Sequence, residues 1–165
     1  ETVFGPDGAM EAFLQARQEG KVRWLGFSAH NGDAALAAMA RFAFDTLLFP
    51  LNLPLWQAGF APPVLDLARQ QELGILALKA LCRGRWPDQA ERTHAPCWYQ
   101  PSTDPEEARL ALSFVFSQGA TAAIPPGNED LFWMAVELAS QLQPFGPAEE
   151  KRLQELTTNA QPLFT

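Results

Sequence analysis

Four short and nearly all-apolar runs, each followed by a stretch with helical spacing, constrain this chain more than any other feature. The runs cover residues 22–28, 46–51, 75–81 and 121–124. Continuous apolar character over so few residues suits strands buried on both faces, as in a parallel sheet whose crossovers are helices. The intervening segments fit that scheme. Residues 8–19 carry Met10, Phe13 and Leu14 at helical spacing, with Gly20 as a stop. Asn31-Gly32-Asp33 is a turn signal, and Asp33 is the expected cap of an alanine-rich helix to Phe42. Pro62-Pro63 opens a helix to Leu73, since a first turn needs no amide donor from proline. Further helices are expected over 104–118, 129–142 and 147–158, the first with acids placed to favour its dipole.

The expected order is one helix, four βα units and an extra terminal helix. It fits a four-stranded open α/β sheet or half of an eight-stranded βα barrel. At 165 residues, with 47% hydrophobic and 19% charged side chains, the chain has enough apolar material for one core and is not disordered. With no linker, repeat or low-complexity tract, residues 1–165 read as a single unit. Twelve basic residues against 19 acidic ones leave a net charge of −7, the wrong sign for gripping phosphate backbones. No apolar run reaches the ~18 residues of a membrane span. The only cysteines, Cys82 and Cys97, are too few for a secreted disulfide scaffold and suit a reducing, cytoplasmic setting. The first residue is Glu1, so the expectation is a fragment of a longer protein.

Chemistry is sparse. Neither G-x-G-x-x-G nor G-x-x-x-x-G-K-[ST] occurs. Gly26-Phe27-Ser28-Ala29-His30 falls short of a nucleophile elbow because His30 stands where the sharp turn needs a small residue. A single histidine at a strand end is more often structural than catalytic. Cys82, His94 and Cys97 share a loop of about 20 residues after the third strand, but without a paired C-x-x-C they fall short of a zinc signature. No metal site is expected. Lys79 is different: a charge at the C-terminal end of an apolar strand, where parallel α/β folds place ligands, with Arg83 and Arg85 just beyond. Trp86, Trp98 and Tyr99 either cover an apolar substrate or pin the loop.

Four linked motifs resemble the aldo/keto reductase family. Gly20-Lys21-Val22-Arg23-Trp24-Leu25-Gly26-Phe27-Ser28 is similar to that family's EGK-R-x-x-G-x-S strand, and Phe49-Pro50-Leu51-Asn52 to its F-P-x-N strand. Gly74 to Leu81 resembles the GI-x-A-x-K-x-L seventh strand, and Ala123-Ile124-Pro125-Pro126-Gly127 the eighth strand and its loop. The resemblance implies the C-terminal half, strands five to eight, of a (β/α)8 TIM barrel with a C-terminal helical extension. It also implies a nicotinamide cofactor, NADP or NAD, and a small carbonyl substrate in the full-length protein.

Carried onto this sequence, the resemblance gives Ser28 the nicotinamide carboxamide and Lys79, Leu81 and Arg83 the pyrophosphate. Pro126, Gly127 and Asn128 fall at the adenosine end. The family's catalytic Asp, Tyr, Lys and His come from the other half-barrel, so no catalytic residue is expected here and the chain alone should be inactive. Departures are Ala29 for an asparagine, Leu48 for a glutamine and Leu78 for a stacking aromatic, which keep a non-catalytic interaction or regulatory half-barrel as the alternative. NADP selection needs a cation beside the 2′-phosphate. From Leu110 through Glu150 there is no Lys or Arg, while Glu129 and Asp130 follow the adenosine loop. Half a barrel also leaves two strand edges and an apolar face uncovered, which makes self-association plausible.

Overall fold

The computed structural model describes residues 2–88, 90–94 and 97–164. Helix α1 (Ala9–Gln18) precedes strand β1 (Gly26–Ser28), helix α2 (Gly32–Arg41) and strand β2 (Thr46–Pro50). A one-turn helix α3 (Leu53–Gln57) and helix α4 (Pro62–Gln70) lead to β3 (Gly74–Leu78). A small excursion, β4 (Cys82–Gly84) and β5 (Gln100–Pro101), comes next. Helix α5 (Pro105–Ser117), strand β6 (Ala122–Ala123), α6 (Glu129–Ala139) and α7 (Pro147–Leu156) complete the chain.

Four strands form one parallel sheet in the order β1-β2-β3-β6. β4 and β5 pair separately as an antiparallel ribbon, so the long loop foreseen after the third strand carries structure of its own. The first strand is shorter than expected. Val22, Arg23 and Trp24 are exposed, and pairing starts only where Gly26 meets Thr46. Before that point the chain is held by the Leu25 amide, which donates to Asp45 Oδ2 at 2.7 Å. The third strand also stops early. Leu78 is its last residue, and Lys79 turns away with φ of 59°.

Local chemistry explains the helix starts. Asn31, not Asp33, caps α2, accepting from the Ala34 amide at 2.8 Å. Asp104 accepts from Glu107 at 2.9 Å at the head of α5, and Asn128 from Leu131 at 3.1 Å at the head of α6. The unforeseen α3 is capped by Asn52, whose Oδ1 accepts from the Leu55 amide at 3.0 Å. Pro54 therefore sits in a first helical turn.

Burial alternates along the strands, which corrects the expectation of a sheet covered on both faces. Leu47, Phe49, Ile75 and Ala77 are buried, whereas Leu48, Leu76 and Leu78 are only half-buried. Side chains two apart share a face, and the register aligns Ser28, Leu48, Leu76 and Ala122 across the four strands. One face is thus packed and the other partly open. Both outer margins are also apolar: Phe13, Val22 and Trp24 are exposed beside β1, and Ile124, Phe132 and Val136 beside β6.

Candidate functional site

The carboxyl ends of β1, β3 and β6 bring three of the expected segments to one end of the sheet: Ser28, Lys79 and the Pro126-Gly127-Asn128 turn. Ser28 and Gly127 are exposed, Pro126 is buried, and Asn128 spends its side-chain oxygen on the cap of α6. Open space lies above Gly127, where an added Cβ would meet nothing within 4 Å.

Lys79 is the unusual member. It is 7% exposed, and no carboxylate among the described residues pairs with it. Its Nζ lies 2.7 Å from Nε2 of His30, and 5.4 Å and 5.5 Å from the ring centres of Trp98 and Phe164. The backbone here is held in the left-handed region, uncommon for a side chain larger than glycine. Two donors fix it: Asn52 Nδ2 at 3.2 Å and the Cys82 amide at 2.9 Å, both to the Lys79 carbonyl. The asparagine of Phe49-Pro50-Leu51-Asn52 therefore positions the lysine as well as capping α3.

Two basic nitrogens in contact do not both carry charge. Burial lowers the Lys79 pKa, offset in part by the nearby Cys82 thiol. Burial, then the charge of Lys79, lowers that of His30. The two rings favour an ammonium by about 0.5–1 kcal/mol each. Withdrawing an ion from water without a counter-ion outweighs that gain, so the net direction of the Lys79 pKa is downward.

Arg83 and Leu81 are housed differently. Leu81 is fully buried, with its carbonyl accepting from the Ser102 amide at 2.9 Å. Arg83 donates through Nη2 to the Leu156 carbonyl at 2.7 Å and pairs through Nη1 with Glu107 at 3.3 Å. Arg85 binds the same C-terminal segment, from Nε to the Pro162 carbonyl and from Nη2 to that of Leu163, each at 3.0 Å. Between them Gly84 allows close approach, because a Cβ there would stand 2.5 Å from the Gln161 carbonyl oxygen. This latch sets Leu163 against Cys82 and Tyr99 and brings Phe164 over His30 (5.6 Å) and Phe60 (5.4 Å). Nothing in the local sequence signals it, since it joins residues more than 70 positions apart.

The aromatic residues of the loop have structural partners. Trp86 donates to the Cys97 carbonyl at 3.0 Å, and Trp98 packs edge-on against the buried Tyr99. Burial pushes the Cys82 thiol up to about 12 and raises Tyr99 and Cys97 as well. No three His, Cys, Asp or Glu side chains gather as a metal site among the described residues. Among these residues no helix is long and apolar enough to cross a membrane.

This arrangement has relatives among solved structures. It is similar to an aldo-keto reductase from Bacillus halodurans in its apo form, with 16% identity, a TM-score of 0.61, and 94% of this chain against 59% of that one. The holo form of an aldo-keto reductase from the same organism matches at 16% identity and a TM-score of 0.58, covering 91% and 53%. An aldose reductase from Giardia lamblia matches at 14% identity and a TM-score of 0.61, covering 93% and 51%. The fold is that of part of an aldo-keto reductase barrel. The chain spans between 51% and 59% of the length of these three structures. No protein-family model matches the sequence, and neither does any curated protein. The four-stranded parallel sheet with its open face and unpaired margins is what such a partial barrel requires.

Proposed function

We propose that this chain is the C-terminal half, strands five to eight, of an NAD(P)-linked oxidoreductase that interconverts carbonyls and alcohols. The convergence of Ser28, Lys79 and the Pro126–Asn128 turn at the carboxyl ends of adjacent parallel strands carries this reading, because that end of such a sheet is where ligands bind. The donor set suits an elongated dinucleotide. An exposed serine hydroxyl at β1 would take the carboxamide, and Lys79 at β3, which has no acidic partner among the described residues, would take the pyrophosphate as an ammonium once the phosphate supplies its counter-ion, while an uncrowded glycine turn at β6 would face the adenosine. The cofactor, when bound, supplies the hydride.

The protein's own residues bind and orient it. Leu81 would contribute through its backbone, since its side chain lies in the core. Arg83 contributes only if its bond to Leu156 opens, which couples cofactor contact to the C-terminal segment. Exposed Glu129 and Asp130 in the first turn of α6 disfavour a 2′-phosphate and suit a free ribose hydroxyl, so NAD is the better fit of the two cofactors. His30 is bound to Lys79 and is not assigned the proton-donor role.

Fluorescence titration of the 165-residue chain with NADH and NADPH tests the reading. Saturable binding, tighter for NADH and weakened by Lys79→Ala, supports it, and no saturable binding of either defeats it. Turnover of a carbonyl substrate by this chain alone would overturn the assignment of catalysis to the other half. A second reading, a half-barrel serving interaction, is favoured by the apolar margins beside β1 and β6 and by Leu48 and Leu78 at positions where cofactor contacts are expected.

A further inference from the structure

We propose that Lys79 is a reactive amine that captures small apolar aldehydes as a Schiff base, with His30 relaying the proton and Trp98 and Phe164 forming the walls of the site. Three geometric facts carry this. The amine is buried and has no carboxylate partner among the described residues, so no counter-ion holds it as an ammonium. A second basic nitrogen, His30 Nε2, stands 2.7 Å away and can exchange a proton with it. Two aromatic faces flank Nζ at 5.4 Å and 5.5 Å, an environment that accepts an apolar body beside a polar reacting end. Desolvation and a neighbouring basic group are the two conditions that turn a lysine into a nucleophile near neutral pH. The lowered pKa of Lys79 agrees with them.

The step balances without oxidant or reductant. The Nζ lone pair attacks the aldehyde carbon, a C–N bond forms, and the carbonyl π pair moves to oxygen. His30 takes a proton from Nζ and returns it to that oxygen, giving a carbinolamine. The hydroxyl then leaves as water with the remaining Nζ proton, passed through His30, and the nitrogen lone pair closes the C=N bond. Addition of water reverses the capture. Phe164 is the wall next to the residues that Arg85 holds, Pro162 and Leu163, so on this proposal the aldehyde enters by displacing its ring.

The sequence makes the test clean, because Lys21 and Lys151 are the only other lysines and both are exposed. The 165-residue chain is incubated with benzaldehyde and sodium cyanoborohydride at neutral pH without nucleotide, and the reduced adduct is located by peptide mass mapping. Lys79 is expected to be modified at least about tenfold faster than Lys21 or Lys151, because its burial and the adjacent His30 favour the free amine that the two exposed lysines lack at neutral pH. Phe164→Ala should speed labelling of Lys79 alone, and His30→Gln should slow it while leaving the other two lysines unchanged. Label confined to Lys21, Lys151 and the terminal amine in the unmutated chain overturns the proposal, as does equal labelling of all three lysines. Because no nucleotide is present, this result stands apart from the cofactor titration.

Discussion

Glu107 and Lys79 are both withdrawn from water, at 2% and 7% exposure, and they are housed in opposite ways. The Glu107 carboxylate accepts from Ser102 Oγ at 2.6 Å and faces Arg83 at 3.3 Å, and its own amide binds the Asp104 cap. Every element near it gains order: α5, the β4–β5 ribbon and, through Arg83, the end of α7. Lys79 has a backbone held by Asn52 and Cys82 but a head group that, among the described residues, is offered only an imidazole and two rings. The contrast separates a charge buried to join elements from one buried at the ligand end of a sheet. Completing an ion's hydrogen bonds makes it structural, and leaving it without a counter-ion keeps its chemistry available.

The widest break in that comparison is expected from removing the two groups in turn. Glu107→Ala should destabilise the fold by about 2 kcal/mol, since the buried Ser102 hydroxyl loses its acceptor and Arg83 keeps its Leu156 bond but loses its carboxylate. Lys79→Met should leave stability unchanged or raise it by about 1 kcal/mol, because an apolar chain of similar length replaces an uncompensated amine. Urea midpoints at constant m-value measure both, and a loss at Lys79→Met as large as that at Glu107 would erase the distinction.

A smaller effect concerns the latch. Gly84→Ala forces a Cβ onto Gln161, and Arg85→Ala removes two bonds to backbone carbonyls, at a cost of about 1 kcal/mol for the latter. Hydrogen exchange at residues 161–164 should rise in both while the β2–β3 amides stay protected. Unchanged exchange would mean the segment is held by Leu163 and Phe164 alone.

The smallest effect is in pH dependence, where the sign is fixed by the lysine's depressed pKa. Between that depressed value and the ordinary one of 10.5 the unfolded chain binds the extra proton, so stability rises with pH through the window. Cys82 acts the other way above its ordinary 9.0, because its folded value stands at about 12. The difference between the unmutated chain and Lys79→Met isolates the lysine and should shrink as pH climbs. By NMR, His30 should titrate below 6.5 and move partway back in Lys79→Met, since burial, its larger cause, remains. A His30 midpoint indifferent to Lys79 would dissolve the pair.

Much of this molecule was legible before folding. The four apolar runs became the four sheet strands in the expected order, and the helix starts at Asp104, Pro62 and Pro147 lie where proline and acid chemistry put them. The misses have local causes. A strand extended to Val22 ignored that a ladder begins only opposite a partner, and α3 was hidden because Pro54 reads as a breaker as well as a first-turn residue. Among the site residues, the placing of Ser28, Lys79 and the glycine turn at strand ends followed from the alternation of elements. The engagement of Arg83 did not, for a guanidinium in a loop looks free until its partners arrive from α5 and α7.

What the sequence determined by itself is therefore the set of elements and their direction. Backbone hydrogen bonding, turn chemistry and apolar runs are properties of short segments. What only the tertiary structure decided is the state of each charge. Whether Glu107 is a joint and Lys79 a bare amine depends on side chains 24 and 49 positions away, the distances to Arg83 and His30 along the chain. Desolvation and pairing act through space, and they exist only after the sheet has brought those groups together.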